Sequence, residues 1–149
     1  IAVASFFEEE IKEILKNLTI TTSSNNLVLF NFVRNKAIER QYHTYFTWED
    51  DNKDPNTNAN TFFSLFGNDF KKMAIKDVKN DPKLDQGIKD FLELGYTRNQ
   101  LAHQDFTKIN PNKTAQEYYI LYKSAKYFIK YLKNKLECEI NLPILLSIF

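Results

Sequence analysis

Apolar residues recur along the chain at intervals of three and four, separated by polar runs, and that period reads as amphipathic helices. Val3, Phe6, Phe7, Glu10, Ile11, Ile14, Leu15 and Leu18 give a first helix. The polar stretch Thr19 to Asn26 reads as a turn, with Ser23 or Ser24 placed to cap the next helix. A second helix is predicted from about Asn25 to about Tyr45, with Leu27, Phe30, Val33, Ala37, Ile38 and Tyr42 inward. After Trp48, the Asp-, Asn- and Thr-rich run Glu49 to Asn60, with Pro55 inside it, reads as a solvated loop. Trp48, with Tyr45 and Phe46, is expected to pack that loop down, the alternative being that it stacks a base.

Thr61 to Gly67 reads as a short apolar turn closed by glycine, and a third helix as Asn68 to about Lys79. Its Phe70, Met73, Ala74 and Val78 lie on one side. Asp81-Pro82 marks a helix start, because Asp caps free N–H groups and proline fits the first turn. This fourth helix carries Leu84, Ile88, Phe91, Leu92 and Gly95 and leads into Arg98 to His103. Asn110 to Lys113 is a break. Thr114-Ala115-Gln116-Glu117 is a capping box that opens a fifth helix to about Cys138. The inward stripe of that helix is Tyr118, Leu121, Tyr122, Ala125, Phe128, Ile129, Leu132 and Leu136. Pro143 interrupts the tail. The expectation is an all-α bundle of about five helices, forming a single domain over residues 1–149.

Composition supports this reading. Three glycines and four prolines are too few to punctuate a β-rich fold, while 13 Phe and 8 Tyr can furnish a large core. A net charge of +1 gives no global field for nucleic acid, so any such surface must be a local patch. The single cysteine, Cys138, rules out an internal disulfide and fits a reducing, cytoplasmic setting. No stretch approaches the roughly 20 apolar residues that cross a bilayer, so no membrane partner is expected. Ile1 falls inside a helical pattern and Ile140 to Phe149 is an apolar run, so a longer parent protein is expected.

Most catalytic signatures are missing. Two histidines and one cysteine are too few for a dedicated zinc site. Asp50, Asp51 and Asp54 lack the glycine and terminal glutamate of a calcium loop and read as solvated. There is no phosphate-cradling glycine loop and no nucleophile elbow, and no cofactor is expected. His43 reads as a structural or surface histidine.

What remains is Arg98-Asn99-Gln100-Leu101-Ala102-His103. Residues five apart on a helix differ by about 140° and about 7.5 Å along the axis. Arg98 and His103 therefore flank a strip of small or polar residues, Gly95, Asn99 and Ala102, which suits close approach of another helix. The competing structural reading is a helix end, in which Arg98 binds a carboxylate and His103 caps the last turn. On the fifth helix, Lys123, Lys126, Lys130 and Lys133 form one stripe with Tyr119 in the same sector. Lysines with an interleaved aromatic suit single-stranded RNA, although a solvated lysine face has the same pattern.

The string Arg98 to His103, at the end of the fourth of five helices, resembles the HEPN superfamily, whose hallmark is Arg, a polar residue and then His. The RiboL-PSP branch is the nearest, through Ala4-Ser5-Phe6-Phe7-Glu8 in the first helix and the Leu65-Phe66-Gly67-Asn68 turn. The resemblance implies a homodimer in which two motifs meet across a two-fold axis to form a metal-independent endoribonuclease. RNA would supply its own nucleophile, the 2′-hydroxyl. His103 would act as general base or acid, Arg98 would hold phosphate oxygens, and Asn99 would orient the phosphate or the histidine. The implied partners are RNA, a second copy, and an antitoxin or larger parent. Some HEPN proteins carry a modifiable tyrosine two residues after the histidine; Asp105 stands there instead, followed by Phe106. Asp105 could tune His103, or be an ordinary exposed helix-end aspartate. Two other readings remain open: a non-catalytic HEPN-like dimerisation or binding module, and a helical scaffold of a larger protein.

Overall fold

A computed structural model describes residues 2–103 and 113–140. The readings that fall on Asp105, Phe106, the break at residues 110–112 and Pro143 lie outside the described residues. The fold is all-α. Its elements are α1 (Ala2–Thr22), α2 (Leu27–Val33), a π-helical turn (Arg34–Ile38), α3 (Tyr42–Tyr45), α4 (Asn60–Ser64), α5 (Asn68–Asn80), α6 (Pro82–Ala102) and α7 (Ala115–Ile140).

The long helices start where local chemistry says they should. Asp81 accepts hydrogen bonds from the N–H groups of Lys83 and Leu84, with Pro82 in the first turn of α6. The capping box at α7 is reciprocal. Glu117 N–H donates to Thr114 Oγ1, and Thr114 N–H donates to the Glu117 carboxylate. The helix after α1 is capped by Asn26, whose side chain accepts from Leu29 N–H, rather than by Ser23 or Ser24. Ser24 takes a positive φ of 52°, away from the extended backbone of an N-cap, and the Ser23 hydroxyl is turned back to donate to the Ile20 carbonyl.

The expected single second helix is instead broken into three pieces. Glu39 N–H reaches back five residues to the Arg34 carbonyl, which makes the π turn, and the chain then bends before α3. The Tyr45 hydroxyl donates to the Ala37 carbonyl, supplying a partner to that acceptor beside the break. The bend carries Tyr42, Tyr45 and Phe46 into the core. It also leaves Leu27, Val28, Leu29 and Phe32 on the surface, Val28 being 83% exposed, so Leu27 is not an inward residue. In α1 the buried residues are Ala4, Phe7, Ile11, Lys12 and Leu15, while Phe6 and Glu10 face outward.

The core is aromatic. Phe7, Phe46, Phe62, Phe63, Phe91 and Phe128 are almost fully buried and meet mainly in tilted or edge-on pairs, with Phe46 and Phe62 stacked. The antiparallel pair α6 and α7 forms its spine, and Gly87 lets the two backbones touch. A β-carbon there would stand 2.9 Å from the Ser124 carbonyl oxygen. The anticipated α7 stripe from Tyr118 to Leu136 is buried or half-buried along its length. No described helix is long and apolar enough to cross a membrane.

Candidate functional site

The segment singled out in the sequence forms the last turn of α6. His103 is its C-cap, with φ −87° and ψ 6°, and its N–H donates to the Asn99 carbonyl at 3.1 Å. Its side chain is exposed, as is Ala102, and Asn99 is half-buried. Gly95 lies one turn earlier and faces inward. A β-carbon on it would stand 2.1 Å from a ring carbon of Trp48. Gly95 is thus occupied by its own chain and is not free to meet a second one, so the small-residue strip open to another helix shortens to Asn99 and Ala102. Trp48 is held in turn by Tyr42, Phe46 and Phe91, and its Nε1–H donates to the His43 carbonyl. The loop is packed down as expected, and the His43 side chain is exposed.

Arg98 reaches across to α1. Its Nη2 lies 2.9 Å from Glu8 Oε2, a partner 90 residues away in the chain. The other Glu8 oxygen, Oε1, lies 2.7 Å from Lys12 Nζ, and Lys12 also meets Glu9 at 3.3 Å. Burial opposes the charge on Lys12, but its hydrogen bonds to Glu8 and Glu9 outweigh that and raise its pKa above the usual value. Tyr42 sits beside this group. Burial pushes its hydroxyl far above the ordinary phenol range; the charge of Glu8 adds to the shift and that of Arg98 opposes it. Both contacts of the competing structural reading are therefore present: Arg98 binds a carboxylate, and His103 closes the helix.

Among the described residues, Arg98 has Glu8 as the one hydrogen-bond partner of its side chain. Its side chain is 31% exposed, against 17% for Glu8 and 9% for Lys12. It lines a groove of about 290 Å³ together with Ala2, Val3, Leu94, Thr97, Leu101 and Tyr118. A guanidinium has five N–H donors, and Glu8 engages one terminal nitrogen of the fork. The groove and the remaining donors are the features an oxyanion would use.

Glu8 and Lys12 escaped the sequence reading as site residues, although one signal was available. On a helical wheel Glu8 lies about 55° from the mean direction of Ala4, Phe7, Ile11 and Leu15, close to the offset of Phe7 itself. A charge at a core-facing register needs a partner, and Arg98 was the motif's cation.

On α7, Lys123, Lys126, Lys130 and Lys133 are all exposed. Lys123 Nζ lies 5.4 Å from the Tyr119 ring centre and Lys126 Nζ 5.5 Å from that of Tyr122. Phe6, expected inward, is instead 44% exposed and edge-on to Tyr122 at 6.3 Å. It adds an aromatic from α1 to the lysine face. Tyr118 lines the Arg98 groove while Tyr119 opens the lysine stripe, so the two features begin at adjacent residues.

The acidic loop is occupied with its own backbone: Asp50 Oδ1 accepts from the N–H groups of Asn52 and Asp54. Among the described residues, no group of three or more His, Cys, Asp or Glu side chains is arranged to hold a metal ion.

No curated protein and no solved structure matches the chain significantly. The RiboL-PSP-HEPN family model, by contrast, matches residues 1–137, which takes in all of α1 to α6 and nearly all of α7. With the fold and most of its length accounted for in this way, the chain belongs to the RiboL-PSP-HEPN family.

Proposed function

We propose that this domain is a metal-independent endoribonuclease whose site is composed across a homodimer from Arg98, Asn99 and His103 of each copy. The observation that carries the reading is the last turn of α6: Arg98 lines a groove and, among the described residues, hydrogen-bonds Glu8 alone, and His103 stands exposed at the helix end. Asn99 lies between them and Ala102 is exposed. An isologous contact over Asn99 and Ala102 brings two Arg98/His103 sets to one axis. One His103 takes the 2′-hydroxyl proton and the other protonates the leaving 5′-oxygen, a division that a single copy cannot make. Arg98 holds the phosphate oxygens as charge builds on them. The products are a 2′,3′-cyclic phosphate and a 5′-hydroxyl. The Lys123 to Lys133 stripe, with Tyr119, carries the RNA strand toward this end of the bundle.

A specific observation also favours a second reading, a dimerisation or RNA-binding module without cleavage. The Arg98–Glu8 pair at 2.9 Å is what a purely structural arginine would make. Expression in a bacterial host separates the two. The nuclease reading expects growth arrest, as from a toxin or a phage-defence effector held in check by an antitoxin or a parent protein. It expects His103→Ala and Arg98→Ala each to relieve the arrest at equal protein level. Arrest that persists in both variants contradicts it.

A further inference from the structure

We infer that Glu8 and Lys12 are positioning residues that make Arg98 a receptor for a singly charged oxyanion, the chemistry of an RNA phosphodiester. The inference rests on the nuclease reading and states what the arginine of that site is built to receive. An arginine paired with one carboxylate is electrically neutral and attracts no anion. Here the same carboxylate also binds Lys12, at 2.7 Å, through its second oxygen. Lys12 offsets Glu8, and Glu9, 66% exposed, is the outermost of the four groups, so the charge that lines the groove is that of Arg98.

The Arg98–Glu8 pair alone needs no lysine; Lys12, 9% exposed, is held charged by Glu8 and Glu9 and offsets the carboxylate that Arg98 shares. The order of exposure follows the same logic. Lys12 and Glu8 are the covered members, and Arg98 is the member that reaches the groove. Glu8 holds Nη2, and among the described residues the other N–H donors of the fork meet no partner. Buried Tyr42 stands beside the guanidinium, and Val3, Leu94 and Leu101 give the groove an apolar wall.

The test uses the full chain and its Glu8→Ala, Glu8→Gln and Lys12→Met variants, each checked for folding by melting. Two quantities are read: cleavage of a short RNA, and affinity for the same sequence made entirely of 2′-deoxynucleotides. Glu8→Ala is expected to bind the uncleavable strand at least as tightly, having lost a negative charge, yet to lower kcat about 10- to 100-fold with KM within about threefold. Glu8→Gln, which keeps an acceptor for Nη2, recovers most of that loss. Lys12→Met weakens the uncleavable strand about tenfold. Cleavage by Glu8→Ala equal to that of the parent, or reduced only in proportion to its folded fraction, overturns the inference while leaving the nuclease reading standing. If the parent cleaves no RNA, the nuclease reading falls. The affinities still decide positioning: equal binding by parent and Lys12→Met, or no binding by the parent, overturns it.

Discussion

The indole of Trp48 fills the space in front of Gly95, where a β-carbon would stand 2.1 Å from ring carbon Cζ3. The contact pins the loop after α3 to the helix that carries Arg98, one turn before the arginine itself. Tyr42, Phe46 and Phe91 surround the ring, so it cannot swing away cheaply. Gly95→Ala is therefore expected to cost about 1–3 kcal/mol in urea unfolding. Because the chain has one tryptophan, its fluorescence reports the displacement directly. An unchanged midpoint and spectrum would mean the indole does not occupy that space.

Exposed α2 and the aromatic core should respond oppositely to truncation. Phe32 is 65% exposed and Phe128 is fully buried. Phe32→Ser is expected to change stability by less than about 0.5 kcal/mol, and Phe128→Ala to lower it by about 3–5 kcal/mol. A costly Phe32→Ser would place α2 in the core after all.

These two residues also mark the limit of the sequence. Asp81-Pro82 and Thr114 to Glu117 were readable because a cap is satisfied within three residues, and the α7 stripe because one helix face meets one core. Helix two was not readable. Its apolar residues fit a straight helix, but the bend is set by Tyr45 bonding back to Ala37 and by the burial of Tyr42 and Phe46 among residues far along the chain. Gly95 read correctly as inward, yet what covers it is Trp48, a loop residue with no periodic signal. Arg98 and His103 were singled out by their spacing and by the HEPN resemblance; the Glu8 that pairs with Arg98 was not, because it lies on another helix.

Acid should loosen the α5–α7 contact. Burial raises the Asp77 carboxyl, but hydrogen bonds from Lys135 and Tyr131 outweigh it and hold its pKa below the ordinary 3.8. Asp81 is lowered too, first by the Tyr127 hydroxyl. A folded-state pKa below the unfolded one contributes stability that is fully present above the ordinary value and lost as pH falls through the depressed one. The melting temperature should hold from neutral pH to about 5 and fall between about pH 4 and 2. Asp77→Asn should begin lower at neutral pH and fall less steeply. A slope in Asp77→Asn equal to that of the parent would mean that Asp77 carries none of the acid sensitivity.

If the α7 lysines guide RNA, binding should weaken with salt in proportion to the phosphates they neutralise. Reversing Lys126 and Lys130 to Glu should reduce the slope of log affinity against log salt by about 1–2. The same slope in parent and variant would return the stripe to an ordinary solvated face.

Metal-free cleavage of RNA at the end of α6 leaves a chemical signature in its products, and product analysis reads that signature. The purified chain is incubated with a 5′-labelled single-stranded RNA in excess chelator, alongside Arg98→Ala and His103→Ala. Fragments ending in a 2′,3′-cyclic phosphate (or its opened form), with 5′-hydroxyl partners, are the expected products. Either variant should lose at least about 100-fold in rate at unchanged melting temperature. RNA left intact by the purified chain, or cleaved equally well after His103→Ala, would contradict the nuclease reading.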